Sequence, residues 1–355
     1  MRKDNIRIAH IDAIRGLMIL LVIYIHIVFF LLKKDDTYMC RFFSSIRMPL
    51  FFFIAGFFMY SSAYTKELFN RRATNRIIRQ LYPTIFFWTI FSLIFTPDSF
   101  PESWLMEGKS GYWFTFVLVE MFFIVVPFLM LFYQKKYSNF QKTIYLILFC
   151  LAIEIIYYTN RLLPNKIIPE EITGFLSFNM LAMYLPYLIF GIISNIYINN
   201  FNKLNRSLWW SIASVLTFTV TLWLINKLSV NFIFSILSGM VLSLSGIMMI
   251  FNIFYMMLNS KIIASFKLIK SLIFIGKFTL EIYLIHYFII FIFKSITGSN
   301  LVFDHLTGIC NTIFEFPILI MLSIVIASIC VSIVYIIKKA RLYKYFFPNA
   351  ISSPS

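Results

Sequence analysis

The sequence predicts an all-α, polytopic membrane protein: a helical bundle of about ten transmembrane helices with both termini cytoplasmic, organised as one domain over 1–355. Three observations predict it. The 355 residues are 60% hydrophobic and 13% charged, whereas soluble domains carry about a quarter charged residues. The apolar residues form runs long enough to cross roughly 30 Å of hydrocarbon. The basic residues gather in alternate connections between those runs.

The runs lie at 11–32, 42–64, 81–96, 112–133, 143–159, 177–198, 208–226, 230–258, 271–293 and 315–337. The first has a basic flank, but it is too long for a signal-peptide core and lacks a small-residue cleavage site, so it is expected to stay as the first span. The third and fifth are short and the eighth is long. An even number of crossings puts both termini on one face, and charge selects the face. Arg2, Lys3, Arg7, Lys66, Arg71, Arg72, Arg76 and Arg79 lie on the terminal side, as do most later lysines and arginines; Lys33, Lys34, Arg41, Lys109, Arg161, Lys166, Lys227 and Lys294 lie opposite. Positive charge marks the cytoplasmic side. The acidic connections 97–111 and 164–173 are then outside.

The net charge of +16 would suggest nucleic acid in a soluble protein. In a membrane protein it reflects topology and contact with membrane lipids, so no nucleic-acid partner is expected. The location expected is the cell membrane. Cys40, Cys150, Cys310 and Cys330 have no metal-ligand spacing, and no metal is expected. Cys40 and Cys310 fall on the same outer side, which leaves a disulfide between them open.

Ionisable groups deep in apolar spans are costly and mark candidate sites. His286 lies inside the ninth run, and Gly276, Thr279, Tyr283 and His286 follow helical spacings that put two hydroxyls and an imidazole on one stripe. In the first run His26 follows Arg15 by eleven residues, which returns it to within about 20° of the same face and about 16 Å further along. Asp12 and Arg15 can pair at i, i+3. Walking each span from its end places His26, His286, Arg47, Glu120 and Glu154 in one layer roughly 8–12 Å below the outer surface. Histidine suits general-base catalysis there, because a modest environmental shift keeps it neutral at neutral pH. Glu120 or Glu154 can fix its tautomer, or neutralise Arg47. Lys277 and Glu281 form an i, i+4 pair, and His10 and His305 are expected at the surface without a role. Arg71, Arg72, Arg76 and Arg79 crowd the inner connection before the third run, where they serve topology and anionic lipid or hold a phosphate-bearing donor.

Together these segments resemble the acyltransferase-3 family of ten-helix membrane proteins. The first span resembles the family's opening pattern through Asp12, Arg15, Gly16 and His26. The stretch 47–56, with Arg47, Pro49, the phenylalanines and Gly56, is similar to its second span, and 76–83 to its basic third-span entry. Gly111, Tyr112, Trp113 and Phe114 resemble its fourth-span entry, Phe190 and Gly191 a later glycine step, and 276–286 its penultimate helix, with Thr279 where serine is usual.

The resemblance implies transfer of an acyl group, usually acetyl, from cytoplasmic acyl-CoA (acetyl-CoA) to a hydroxyl of a carbohydrate or lipid-linked glycan of the cell envelope. It implies donor phosphates near Arg76, Arg79 and Arg15, with Thr279 and Tyr283 along the donor site. A pantetheine arm on the order of 20 Å long matches the roughly 16 Å climb from Arg15 to His26. His26 is then the first choice for the base, and His286 a second base, an orienting group or a relay. Arg47 steadies the oxyanion, and Glu120 completes the catalytic set. A covalent acyl-histidine is left open. The rival reading is exopolysaccharide export by a protein of the same fold. A permeation path needs polar groups through its whole depth, whereas here they cluster in two layers.

Overall fold

The computed structural model describes residues 9–33, 38–62, 64–134, 137–163, 166–227, 232–259, 266–296 and 315–348. Ten long helices carry these residues: α1 Ala9–Phe30, α2 Tyr38–Met59, α3 Lys66–Phe95, α4 Trp113–Gln134, α5 Asn139–Leu162, α6 Phe178–Ile196, α7 Leu208–Lys227, α8 Phe232–Asn259, α9 Thr279–Ile296 and α10 Glu315–Lys339. All ten are long and apolar enough to span a membrane, and no strand occurs among the described residues. Helices satisfy every backbone group within the segment, which hydrocarbon demands. Cys310 and His305 lie outside the described residues.

The chain forms two compact units: Met1–Phe51 with Asn199–Val334, and Phe52–Ile198 with Tyr335–Ser355. In the first, aromatic edges join α2 to its neighbours: Tyr24 meets Phe43 at 5.2 Å between ring centres, and Phe42 meets Phe218 at 5.2 Å. In the second, Phe52, Trp113 and Tyr184 from α2, α4 and α6 stack nearly parallel, with Phe52 and Tyr184 4.7 Å apart.

Two helix crossings rest on paired glycines. A methyl group on Gly16 would run into the Leu272 carbonyl, and one on Gly276 into the carbonyl of Asp12. In the second unit a methyl on Gly56 would strike the Leu188 carbonyl, and one on Gly191 the Phe53 carbonyl. In a membrane, where lipid is as apolar as leucine, such backbone approach is a main source of helix association.

Three elements depart from the sequence expectation. The third span, expected at 81–96, starts at Lys66, so Arg71, Arg72, Arg76 and Arg79 are helical and not in a loop. Thr65 caps it, its hydroxyl accepting from the Leu68 N–H at 3.2 Å. A π-helical turn over Ile77–Leu81 precedes Pro83. Pro83 has no N–H to give the carbonyl four residues back, and the wider turn absorbs that break. The ninth span is two helices, Lys267–Gly276 and α9, with a turn at Lys277 and Phe278. Its Thr279 hydroxyl donates to the Gly276 carbonyl at 2.7 Å, closing that turn. His10, expected at the surface, is half-buried against Phe251 and Tyr255, with ring centres 5.4 and 5.6 Å away.

The outer connections of the second unit are locked by Lys109, which is 2% exposed. Its ammonium donates to the carbonyls of Gly174 and Phe175 at 3.1 and 3.0 Å, and lies 3.5 and 3.4 Å from those of Trp104 and Met106. Burial pushes its pKa below the usual lysine value, while the charges of Glu120 and Glu107 act in the opposite sense.

Candidate active site

The crossing of Gly16 with Gly276 sets the level of the histidine pair. His26 lies ten residues past Gly16 and His286 ten past Gly276. Both α1 and α9 are odd-numbered crossings and ascend in the same direction. From a common crossing point, near-equal counts bring the two rings to a similar height, the turn at Lys277 and Phe278 notwithstanding. His26 Nδ1 and His286 Nε2 are 2.8 Å apart.

The hydrogen-bond chain assigns the tautomers. His286 Nδ1 is 3.0 Å from the carbonyl oxygen of Ile282. A carbonyl only accepts, so His286 Nδ1 carries the hydrogen and Nε2 of the neutral ring is an acceptor. His26 Nδ1–H donates to it, which leaves the His26 lone pair on Nε2. There the Tyr287 hydroxyl donates at 3.1 Å. Proton positions follow from this network of partners. His286 is completely buried, whereas His26 is partly exposed. A fully enclosed ring orients; a partly exposed ring can meet a substrate.

Arg47, on the α2 segment of the same unit, acts electrostatically on His26, His286 and Tyr287. Tyr283 is buried, its ring centre 6.1 Å from that of His286. Thr279 is buried one turn lower with its hydroxyl spent on the helix junction. Arg15 is half-buried on α1, one residue before the crossing glycine, and Asp12 is buried beside it. The expected Lys277 and Glu281 neighbours differ in setting: Lys277 is exposed, Glu281 buried.

The second unit holds the other candidates. Arg72 Nη1 donates to the Tyr64 hydroxyl at 2.7 Å and the Met59 carbonyl at 3.0 Å. Arg76 Nη1 donates to Gln80 Oε1 at 3.1 Å, and its guanidinium lies 5.0 Å from the centre of the Phe122 ring. Arg79 is exposed. Arg76 directly precedes the π-helical turn and Arg79 lies within it, so the two differ in environment despite their spacing. Glu120 is half-buried on α4, and its Oε2 has no hydrogen-bond partner among the described residues. The charge that acts on it is that of Lys109. Glu154 is half-buried on α5, a helix with an otherwise largely exposed apolar flank. The partner of His286 Nδ1 is thus a backbone carbonyl, not the carboxylate that the sequence suggested for the tautomer.

Tyr287 escaped the sequence reading. The 3,4 spacing rule selects one stripe, and Tyr287 sits about 100° around the helix from His286. Helix α1 lies in the groove that both residues flank, so both reach His26. The adjacent His-Tyr pair was the available signal. Among the described residues, no three His, Cys, Asp or Glu side chains are grouped to hold a metal ion.

No curated protein and no solved structure matches the chain. A family model does: that of acyltransferase-3, described as an acyltransferase domain, matches residues 8–337. The match runs through both compact units and takes in the glycine crossings, the histidine pair and the helical arginines. The chain therefore belongs to the acyltransferase-3 family, and the protein is a multi-pass membrane acyltransferase.

Proposed function

We propose that the protein transfers an acyl group, acetyl in the first instance, from acyl-CoA to a hydroxyl of a cell-surface carbohydrate or lipid-linked glycan, at the cell membrane. The observation that carries this reading is the ordered chain from His26 through His286 to the Ile282 carbonyl. It makes His26 Nε2 the basic nitrogen, on a partly exposed ring, where the acceptor hydroxyl takes the place of the Tyr287 hydroxyl.

His26 Nε2 takes the proton of the acceptor hydroxyl as its oxygen attacks the thioester carbonyl carbon. The carbonyl π pair moves onto oxygen, and Arg47 steadies that oxyanion. When the tetrahedral carbon collapses the C–S bond breaks, and the sulfur leaves with the proton held on His26. The products are the O-acyl ester and free CoA. The imidazolium formed midway keeps its Nδ1–H on His286 Nε2, so His286 holds the ring in register and shares the transient charge. Arg15, Arg76 and Arg79 are the residues we assign to the donor's phosphates, because forked guanidinium groups match phosphate oxygens. Tyr283 and Thr279 shape the donor side of α9, and Glu120 is the carboxylate we assign to the catalytic set.

Mass spectrometry of envelope glycans tests the reading, comparing cells that carry the wild-type protein, His26→Ala or none. Wild-type cells should show an acetyl increment that both others lack. Purified His26→Ala should turn over acetyl-CoA roughly a hundredfold or more slowly, the usual share of general acid–base catalysis. Full activity per folded molecule in His26→Ala would remove the mechanism.

A further inference from the structure

In the second unit, the end of the helices opposite the arginines of α3 carries a cavity of about 230 Å³. It lies between the last turns of α5, the connection after it and the first turn of α6. Glu107, Tyr157, Arg161, Lys166, Phe178 and Asn179 face into it. None of them belongs to the acyl-transfer chemistry described above.

Its walls are rigid. Arg161 Nη1 donates to the Tyr157 hydroxyl at 3.0 Å, and that hydroxyl donates to Asn179 Oδ1. Glu107 Oε1 accepts from the Asn179 backbone N–H at 3.2 Å, which caps α6. The buried Asn160 pins the connection by accepting from the Ile168 N–H at 2.7 Å. The Glu107 carbonyl accepts from the Ser177 hydroxyl at 3.2 Å, and Lys109 ties the same two connections together. Groups held this firmly lose little freedom when a ligand arrives.

The remaining polar capacity defines the ligand. Asn179 has used its oxygen, so its two amide N–H donors remain for the cavity. Glu107 has its second oxygen, an acceptor for paired hydroxyls, and Arg161 keeps further N–H donors. Phe178 adds an apolar flat ring, which meets Tyr157 edge-on at 6.0 Å. The charges cancel, since Lys166 is paired with Glu170, and Arg161 faces Glu107 across the same cavity. A phosphate or carboxylate ligand would call for uncompensated cations. Fixed donors, a fixed acceptor and a flat apolar face instead suit a neutral ring bearing hydroxyls, whose C–H face lies on the phenyl ring. The volume falls below the roughly 300–1,000 Å³ of drug-sized sites, so it takes one ring and not a chain.

We propose that this cavity is a binding site for a single neutral sugar ring, on the outer face under the basic-inside assignment. It rests on the acyl-transfer reading only in ascribing that ring to the acceptor glycan.

Glucose, a single neutral sugar ring, is the probe, titrated against the protein in lipid nanodiscs without acyl-CoA and followed by saturation-transfer NMR. Glucose 6-phosphate is the anionic comparison. Wild type should bind glucose saturably and more tightly than the sugar phosphate. Glu107→Gln keeps the α6 cap but replaces the free acceptor with a donor, and Phe178→Leu removes the flat ring; each should weaken binding about tenfold or more. Melting temperatures report whether each variant folds, and Phe178→Leu decides alone if Glu107→Gln does not. No saturation by wild type, unchanged affinity in the folded variants, or tighter binding of the sugar phosphate would each overturn the site. Because acyl-CoA is absent, sugar binding stands or falls separately from the acyl-transfer reading, which His26→Ala tests with this cavity intact.

Discussion

At the scale of single residues, the His26 ring is useful because each of its nitrogens has a defined partner. Nδ1 faces His286 at 2.8 Å and Nε2 faces the Tyr287 hydroxyl at 3.1 Å. That hydroxyl holds the His26 ring in the plane that aims Nε2, and gives way to the substrate hydroxyl on binding, so Tyr287 is a positioning residue. Tyr287→Phe should lower kcat about tenfold while leaving KM for acetyl-CoA unchanged, since the side chain touches no donor group in this assignment. Steady-state kinetics on the purified variant check it. A rise in KM with kcat intact would place Tyr287 at the donor instead. The common level of His26 and His286 was legible from the sequence by counting along each span. Their partners were not: the Ile282 carbonyl is backbone, and Tyr287 lies off the stripe that periodicity selects.

At the scale of elements, the glycine crossings position the chemistry. Gly16 and Gly276 bring α1 onto Lys267–Gly276 so closely that no side chain fits between their backbones. Gly276→Ala should cost about 1–3 kcal/mol as an overpacked contact, because the new methyl meets backbone that cannot rotate away. It should also pull His286 out of reach of His26 and abolish transfer. Gly239→Ala is the matched control, since a methyl there meets nothing within 4 Å. That change should be neutral or stabilise by about 0.5–1 kcal/mol through helix propensity. Thermal unfolding in detergent reads both. Equal melting temperatures for Gly276→Ala and wild type would show that the crossing has slack. The glycines were visible in the sequence as parts of motifs, but only packing shows that they work in pairs, 16 with 276 and 56 with 191.

At the scale of the whole molecule, the ten candidate spans among the described residues are an even number, and with the basic residues on alternate connections this predicts both chain ends on the cytoplasmic face. In a background without other cysteines, Glu171→Cys should react with a membrane-impermeant maleimide on intact cells. Asn139→Cys, at the first residue of α5, should react only after the membrane is opened. Both positions are exposed, so accessibility is decided by the membrane and not by the fold. The reverse pattern would invert the topology and move the sugar site to the cytoplasm.

The sequence by itself determined the class, the number of spans, the family and the ionisable residues inside the membrane. Hydrocarbon imposes rules strong enough to be read one residue at a time: apolar length for a span, positive charge for the inner face, high cost for a buried histidine. The tertiary structure decided what depends on two segments at once. It moved the arginines of 71–79 from a loop into α3, because a π-helical turn can carry a helix through Pro83. It broke the ninth span at Lys277 and Phe278 and spent the Thr279 hydroxyl there. It buried Lys109, one of several outer basic residues by sequence, under four carbonyls from two connections. It also gave His26 a direction, since a tautomer is set by partners that lie 260 residues apart in the chain and meet only when the helices cross.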